Sequence, residues 1–228
     1  MSLPAAQCHP IMCLTQDGLT LSHVEQAVRL CNAGARWIQL RMKEADTGIW
    51  LSTAQTVASI CREHGATFIV NDSVEIALRA GADGVHLGKL DLAWTEARRR
   101  LGPEKILGGT VNHSIDAAKA RAVGCLDYVG VGPWRFTANK KNLAPVLGAD
   151  GVDRLIAELG ALPAWVIGGI ESPDLPAVHA TGAAGVAVSS ALYRDSAVEA
   201  NFQSFANAWP SPFNGRRGAQ TDKVVLSP

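Results

Sequence analysis

Two aspartates follow neighbouring apolar segments at positions where they can share a ligand. Asp72 comes almost directly after the apolar segment 67–70, and Asp91 follows the segment 84–87 by a few residues. The carboxyl ends of neighbouring parallel strands open onto one face, so the two carboxylates are predicted to converge on a hard cation. The alternative is that Asp72, with Ser73, caps the following helix and that Asp91 caps the next one.

A second group of polar residues lies at the end of another apolar segment, 37–40. Gln39, Arg41 and Lys43 occupy alternate positions, and alternation along a strand sends them to one side. Amide and cationic donors that point to one place suit an anion, for which a diphosphate has the natural size. The alternative is an exposed strand end with solvated charges, although Gln39 falls inside the apolar segment and Arg41 directly follows it.

Three later loops carry groups that suit phosphate. The long polar loop after residue 133 contains Thr137, Asn139, Lys140 and Lys141. Gly168-Gly169-Ile170 is predicted to offer backbone N–H groups at a helix start, and Ser189-Ser190 to offer hydroxyls. Each of the last two loops, taken separately, also fits a tight turn or an N-cap.

Regular alternation of short apolar segments and longer helical segments positions these groups. The predicted strands are 11–14, 37–40, 67–70, 84–87, 105–107, 127–131, 164–167 and 185–188. The predicted helices are 22–32, 47–64, 73–80, 94–101, 114–123, 148–159, 172–181 and 197–209. This pattern predicts an α/β fold, a closed (β/α)8 TIM barrel, whose functional sites lie at the carboxyl ends of the strands.

The composition limits the classes of partner that the protein can bind. The 228 residues include 21 basic and 21 acidic side chains, so no basic field attracts nucleic acid. No apolar run is long enough to span a membrane, and no signal peptide is evident at the N-terminus, so we expect a cytoplasmic protein. The scattered cysteines are predicted to be reduced core residues: Cys8, Cys13, Cys31, Cys61 and Cys125. Residues 1–209 are predicted to form one domain, and 210–228 a flexible tail of linker composition.

An ordered set of short motifs carries a resemblance to a known family. The motifs are Gln39-x-Arg41-x-Lys43, Asn71-Asp72, Gly84-Val-His86-Leu-Gly88-x-x-Asp91, Gly130-x-Gly132-Pro133 with Thr137-x-x-Lys140, Gly168-Gly169-Ile170 and Ser189-Ser190. In order and spacing they resemble thiamine phosphate synthase over nearly all of residues 11–205. The resemblance implies a TIM barrel that joins a pyrimidine methyl diphosphate to a thiazole ethyl phosphate, which gives thiamine phosphate and pyrophosphate.

The resemblance also implies roles for individual residues. Asp72 and Asp91 would bind Mg²⁺. The pyrimidine diphosphate would be held by Gln39, Arg41, Lys43, Asn71, Thr110 and Lys140. The thiazole phosphate would be held by Thr137, Asn139, Gly169, Ser189 and Ser190. By the same analogy, a homo-oligomer would form through the barrel helices.

The implied chemistry suits this division of residues. Breaking the pyrimidine C–O bond leaves negative charge on pyrophosphate, which Mg²⁺ and the catalytic cations Arg41, Lys43 and Lys140 would stabilise. The thiazole nitrogen then captures the pyrimidine cation, so the protein must position substrates and needs no nucleophile. Three residues depart from the family pattern: Lys89 stands for Gln, Thr110 for Ser and Asn139 for Thr.

Two other functions fit the same barrel. One is the related thiazole tautomerase, and the other is a non-catalytic regulatory barrel that binds phosphates. In tautomerase-like proteins a catalytic His follows the glycine that closes strand six, whereas here Pro133 follows Gly132. His86 is assigned to strand packing, because it lies in an apolar segment, and His113 to the loop before the next helix.

Overall fold

The strands close into a parallel barrel in the order in which they occur along the chain. The computed structural model describes residues 9–43, 45–136 and 145–210, and within these ranges it contains eight strands. They are β1 (Ile11–Leu14), β2 (Trp37–Leu40), β3 (Thr67–Asn71), β4 (Gly84–Leu87), β5 (Ile106–Val111), β6 (Tyr128–Val131), β7 (Ala164–Ile167) and β8 (Gly185–Val188). Each strand pairs with the next, and β8 pairs with β1, where Ala187 lies opposite Met12. The predicted (β/α)8 barrel is confirmed.

Helices cover the outside of the barrel. They are α1 (His23–Asn32), α2 (Thr47–Glu63), α3 (Val74–Ala80), α4 (Trp94–Leu101), α5 (Ser114–Val123), α6 (Gly148–Leu159), α7 (Leu175–Ala180) and α8 (Val198–Ala208). Two 3-10 segments, Ser172–Asp174 and Ser190–Ser196, lead into α7 and α8.

Local hydrogen bonds explain where the helices begin and end. The backbone N–H of Glu25 donates to Ser22 Oγ at 3.2 Å, and the N–H of Ser22 donates to Glu25 Oε2 at 2.7 Å. This reciprocal capping box begins α1. Gly81 ends α3 with a φ of 70°, a left-handed conformation that favours glycine.

The barrel interior has its own packed core, distinct from the one between strands and helices. Its buried members are Met12, Leu14, Trp37, Ile69, Ile106, Tyr128, Trp165 and Ala187. The rings of Trp37, Tyr128 and Trp165 meet edge to face, with centroids 4.8, 5.3 and 5.6 Å apart. This packed centre supports the polar side chains at the carboxyl ends of the strands.

The fifth strand is longer than the sequence predicts. The prediction was 105–107, whereas β5 continues to Val111 and pairs with β4 and β6. Gly108 and Gly109 are poor strand formers, which is why the apolar pattern fails there. A Cβ at Gly108 would lie 2.2 Å from the Tyr128 ring, so glycine is required by that ring. The extension brings Thr110 into the strand.

Three further predictions concern the C-terminal tail, the cysteines and membrane-spanning segments. Residues 211–228, nearly all of the predicted tail, and Cys8 lie outside the described residues. Within the described part, Cys13, Cys31, Cys61 and Cys125 are free thiols. No helix of the described residues has both the length and the apolar character that a membrane crossing requires.

Candidate active site

Asp72 and Asp91 converge at the carboxyl ends of β3 and β4. Asp72 has a φ of 71°, and its backbone N–H donates to the His86 carbonyl oxygen at 2.8 Å, which ties it to β4. The carboxylate of Asp91 accepts the Gly88 N–H at 2.6 Å. Burial raises the pKa of the Asp91 carboxyl, and the adjacent Asp72 carboxylate raises it further. The charged pair is therefore unfavourable without a cation between or beside its members.

The helix-capping alternative for these aspartates is wrong. Ser73 caps α3 by itself, since its side chain accepts the Ile76 N–H at 3.2 Å. Helix α4 begins after Ala93 without a side-chain cap. Asp91 instead turns back toward Gly88, so neither aspartate is used to cap a helix.

A cationic side chain, that of Lys43, lies beside this pair. The Lys43 Nζ forms an ion pair with Asp72 Oδ2. Arg41 is half-buried just beyond β2, and its side chain makes no hydrogen bond or ion pair with the described residues. Met42, between them, is buried in the core.

The loop after β1 binds the backbone of Arg41 and Lys43, which the sequence did not indicate. The Arg41 N–H donates to Thr15 Oγ1 at 3.1 Å, and the Lys43 N–H donates to Asp17 Oδ2 at 3.0 Å. His23 lies between those acceptors, with Nδ1 2.8 Å from Thr15 Oγ1 and Nε2 3.0 Å from Asp17 Oδ1. Isolated Thr, Asp and His residues carry no motif, so only their contacts identify them.

The predicted amide and hydroxyl groups lie inside the barrel mouth. Gln39 is 3% exposed and its Nε2 lies 3.2 Å from Met12 Sδ. Asn71 is 6% exposed at the end of β3, where it pairs with His86 of β4. Thr110 is half-buried near the end of β5.

His86 packs against the Tyr128 ring, with centroids 5.5 Å apart, and it also contacts polar groups. Its imidazole points into the barrel, where Nε2 lies 3.0 Å from Thr110 Oγ1 and Nδ1 3.1 Å from the Tyr128 hydroxyl. Its neighbours Val85 and Leu87 are apolar because they face the helices, while His86 occupies the alternate, inward position. His113 is exposed at the N-cap position of α5, as its loop assignment implied.

Lys89, a departure from the family pattern, has a specific partner. Its Nζ lies 2.6 Å from Asp116 Oδ2 in the first turn of α5. The same carboxylate accepts the backbone N–H groups of Asn112 and His113 at 2.9 and 3.1 Å. The loop that carries Asp91 is thus joined to the loop that follows Thr110.

The loops after β7 and β8 form a second polar region. Gly168 and Gly169 have φ values of 100° and 68°. They lie in the turn before the 3-10 segment Ser172–Asp174, so their N–H groups precede the helix start rather than form it. The Ser189 hydroxyl donates to Gln16 Oε1 at 3.3 Å, and Ser190 is exposed.

The start of the loop after β6 lies across this second region. The N–H groups of Trp134 and Arg135 donate to the carbonyls of Ile167 and Gly168 at 2.9 and 3.0 Å. The Arg135 guanidinium binds Asp174 at 2.6 and 2.7 Å and the Gly169 carbonyl at 2.9 Å. Trp134 is buried in the core, whereas Phe136 is 72% exposed. The predicted residues Thr137, Asn139 and Lys140 lie outside the described residues.

A divalent cation fits the paired aspartates. Among the described residues, no group of three or more His, Cys, Asp and Glu side chains could hold a metal. Mg²⁺ is commonly bound by one or two carboxylates, with substrate phosphates and water completing its shell. Asp72 and Asp91 supply that number of ligands, and a cation would offset the burial and the repulsion that raise the pKa of the Asp91 carboxyl.

The family model and the curated relatives point to one family. Residues 9–192 match the family model described as thiamine monophosphate synthase. A thiamine-phosphate synthase from Phocaeicola vulgatus is 41% identical over 77% of this chain and 86% of its own length. One from Laribacter hongkongensis is 40% identical over 80% and 83%. The structure of a thiamine phosphate pyrophosphorylase from Pyrococcus furiosus superposes with a TM-score of 0.80 at 30% identity, and covers 89% of this chain and 96% of its own.

Proposed function

The chain belongs to the thiamine monophosphate synthase family, and on that premise we propose that it condenses a pyrimidine methyl diphosphate with a thiazole ethyl phosphate. The products are thiamine phosphate and pyrophosphate. The observation that carries the proposal is the convergence of Asp72, Asp91 and Lys43 at one side of the barrel mouth, with a separate polar region after β7 and β8. Two anionic substrates need two such regions.

The first region suits the diphosphate. Asp72 and Asp91 would hold Mg²⁺, which when bound would neutralise charge on the diphosphate. Lys43 and Arg41 add fixed positive charge beside that position, and Lys140 is proposed to join them. Gln39, Asn71 and Thr110 line the mouth with amide and hydroxyl groups that suit the pyrimidine ring.

The second region suits the thiazole phosphate. The proposed ligands are the backbone of Gly169, the hydroxyls of Ser189 and Ser190, and residues Thr137 and Asn139. A Cβ at Gly169 would lie 2.4 Å from Arg135 Cγ. Because glycine has no side chain, this backbone stays open and Arg135 can lie close to it. Backbone N–H groups and hydroxyls are common phosphate ligands.

The reaction follows from this arrangement. The C–O bond of the pyrimidine diphosphate breaks, and its electron pair leaves with pyrophosphate. Arg41 and Lys43 stabilise that charge most where it is greatest, in the transition state. The thiazole nitrogen lone pair then forms the new C–N bond, and the two bound phosphates orient the rings for this step.

The proposal extends to the cellular location and the oligomeric state of the protein. A cytoplasmic location is supported by the free thiols of Cys13, Cys31, Cys61 and Cys125, since that compartment keeps cysteines reduced. A homo-oligomer formed through the barrel helices stays a prediction from the family resemblance.

The direct test is incubation of the full chain with both substrates and Mg²⁺. We expect thiamine phosphate and pyrophosphate in equal amounts, and no pyrophosphate when either substrate or the metal is omitted. A Glu96→Gln variant, altered only in an exposed ion pair of α4, serves as a control and should retain full activity. Isomerisation of the thiazole phosphate alone, without metal, would instead identify a tautomerase. Phosphate binding without either reaction would identify a regulatory barrel.

A further inference from the structure

A hydrogen-bonded chain of side chains connects the barrel core to the mouth. The Tyr128 hydroxyl lies 3.1 Å from His86 Nδ1, and His86 Nε2 lies 3.0 Å from Thr110 Oγ1. The three residues come from β6, β4 and β5. Tyr128 is fully buried, His86 and Thr110 are half-buried, and the chain therefore runs outward toward the solvent.

Packing fixes the inner end of this chain. The Tyr128 ring lies edge-on to Trp37 and Trp165, with centroids 5.3 and 5.6 Å away. Glycines leave the space for the rings, since a Cβ at Gly108 would lie 2.2 Å from the Tyr128 ring and one at Gly130 3.2 Å from His86 Cε1. This packing holds the Tyr128 hydroxyl beside His86 Nδ1.

The direction of the hydrogen bonds follows from the chemistry of Tyr128. Burial raises the pKa of the Tyr128 hydroxyl, so it keeps its proton, and a buried hydroxyl proton requires an acceptor. The Tyr128 oxygen lies 3.1 Å from His86 Nδ1, while Gln39 Nε2 donates to Met12 Sδ at 3.2 Å. The Tyr128 proton is therefore left for His86 Nδ1. An imidazole that accepts at Nδ1 carries its proton on Nε2 and donates it to Thr110 Oγ1.

We propose that Tyr128 is a positioning residue that holds His86 in the Nε2–H tautomer and so leaves the Thr110 hydroxyl proton free for an acceptor atom of the substrate. In the opposite tautomer, the Thr110 hydroxyl would donate its only proton to His86 Nε2. The substrate partner is thus a hydrogen-bond acceptor, such as a ring nitrogen or a phosphate oxygen. This role rests on the proposed function, because it assigns Thr110 to the pyrimidine diphosphate.

The tautomer can be measured without any activity assay. Long-range ¹H–¹⁵N spectra of the labelled full chain distinguish a protonated ring nitrogen from an unprotonated one, and His86→Asn identifies the signals of His86. We expect protonated Nε2 and unprotonated Nδ1 in the native protein, and a loss of that preference in Tyr128→Phe. A protonated Nδ1 in the native protein would overturn the proposal, whether or not the chain proves to be a synthase.

Tyr193 provides a matched control. It is the second tyrosine of the chain and is also buried, but its hydroxyl donates to the Leu14 carbonyl at 2.9 Å instead of to a histidine. Tyr193→Phe removes a buried hydroxyl in the same way. It should leave the His86 spectrum unchanged, and an equal change in both variants would contradict a specific role for Tyr128.

Kinetics test whether the chain acts through Thr110. Tyr128→Phe and Thr110→Val should each lower kcat/KM for the pyrimidine diphosphate by roughly two- to tenfold, the factor that one hydrogen bond supplies. Neither should change KM for the thiazole phosphate. Because both remove the same donor, the double variant should lose no more than Thr110→Val alone. Independent, multiplied losses would overturn the proposal.

Binding of two partial ligands identifies the acceptor atom. If the acceptor is a ring nitrogen, Thr110→Val weakens binding of the pyrimidine alcohol that lacks phosphate. If it is a phosphate oxygen, Thr110→Val weakens the binding of inorganic pyrophosphate in the presence of Mg²⁺. Thr110→Ser, which keeps the hydroxyl, should bind both as the native protein does. Unchanged binding of both ligands by Thr110→Val would show that Thr110 donates to neither and would refute the inference.

Discussion

The guanidinium of Arg135 and the carboxylate of Asp174 form a bidentate ion pair, with N–O distances of 2.6 and 2.7 Å. The pair joins the loop after β6 to the first turn after β7. Arg135 also binds the Gly169 carbonyl at 2.9 Å, so it fixes the backbone proposed to hold the thiazole phosphate. Planar, bidentate contacts of this kind set orientation as well as charge.

Asp174→Asn should therefore impair thiazole phosphate binding. The variant breaks the ion pair but keeps the size of the side chain, and we expect KM for the thiazole phosphate to rise a fewfold. The pair is partly exposed, which limits the effect. Steady-state kinetics with each substrate varied in turn would measure it. A matching rise in KM for the pyrimidine diphosphate would argue against a local role for this pair.

Asp72→Asn and Asp91→Asn should each abolish Mg²⁺-dependent turnover while the fold remains intact, because each removes an anionic ligand. In the metal-free protein, burial first and Asp72 second raise the pKa of Asp91, so its charge opposes folding at neutral pH. Asp91→Asn should therefore melt no lower than the native protein without metal. Added Mg²⁺ should raise the Tm of the native protein only. Near-normal turnover in both variants would refute the metal site.

Replacing Arg41 or Lys43 with Met should slow C–O bond cleavage by about a hundredfold or more, as losses of preorganised charge do. Single-turnover release of pyrophosphate measures this step directly. KM should change less, since the charge these residues meet is greatest in the transition state. A change confined to substrate affinity would contradict the role. Arg100→Met, on the exposed face of α4, is the control for loss of a cation.

Lys89 and Asp116 should contribute stability that depends on pH. Burial alone would raise the pKa of Asp116, but Lys89 and the backbone N–H groups of Asn112 and His113 lower it overall. A lowered pKa in the folded state stabilises the protein above the ordinary value of 3.8, and this gain is lost as pH falls through the folded pKa. Asp116→Asn should thus lower Tm at pH 7 and have less effect in acid. Equal effects across this range would exclude the ion pair as the cause.

Gly169→Ala should weaken thiazole phosphate binding more than pyrimidine diphosphate binding. The new Cβ would lie 2.4 Å from Arg135 Cγ, so the Arg135 side chain, which lies across this backbone, must shift. Gly65→Ala is a matched control, because Gly65 has a similar φ of 61° and nothing within 4 Å of the added atom. Both variants should be less stable than the native protein, and only Gly169→Ala should bind thiazole phosphate more weakly. Ser190→Ala should show the same substrate preference, and equal losses for both substrates would contradict the assignment.

The sequence by itself determined the order of elements and the family. Helix starts such as Ser22 with Glu25, and ends such as Gly81, depend on groups within a few residues of each other, so local patterns reveal them. Eight alternating pairs then predict the barrel, which the structure confirms. The family resemblance is confirmed by the match over residues 9–192, whereas the site roles and the metal stay predictions.

Only the tertiary structure decided which distant side chains meet. The pairs Arg135 with Asp174 and Lys89 with Asp116 lie on different loops, and no periodicity links their positions. His86 looked like a core residue because its neighbours are apolar, and its contacts with Tyr128 and Thr110 exist only once three strands are in register. The extent of β5 has the same origin, since Gly108 pairs with Tyr128 of the neighbouring strand β6 and leaves space for its ring. Local sequence sets backbone conformation, but barrel closure and register set the distances between side chains on which the chemistry depends.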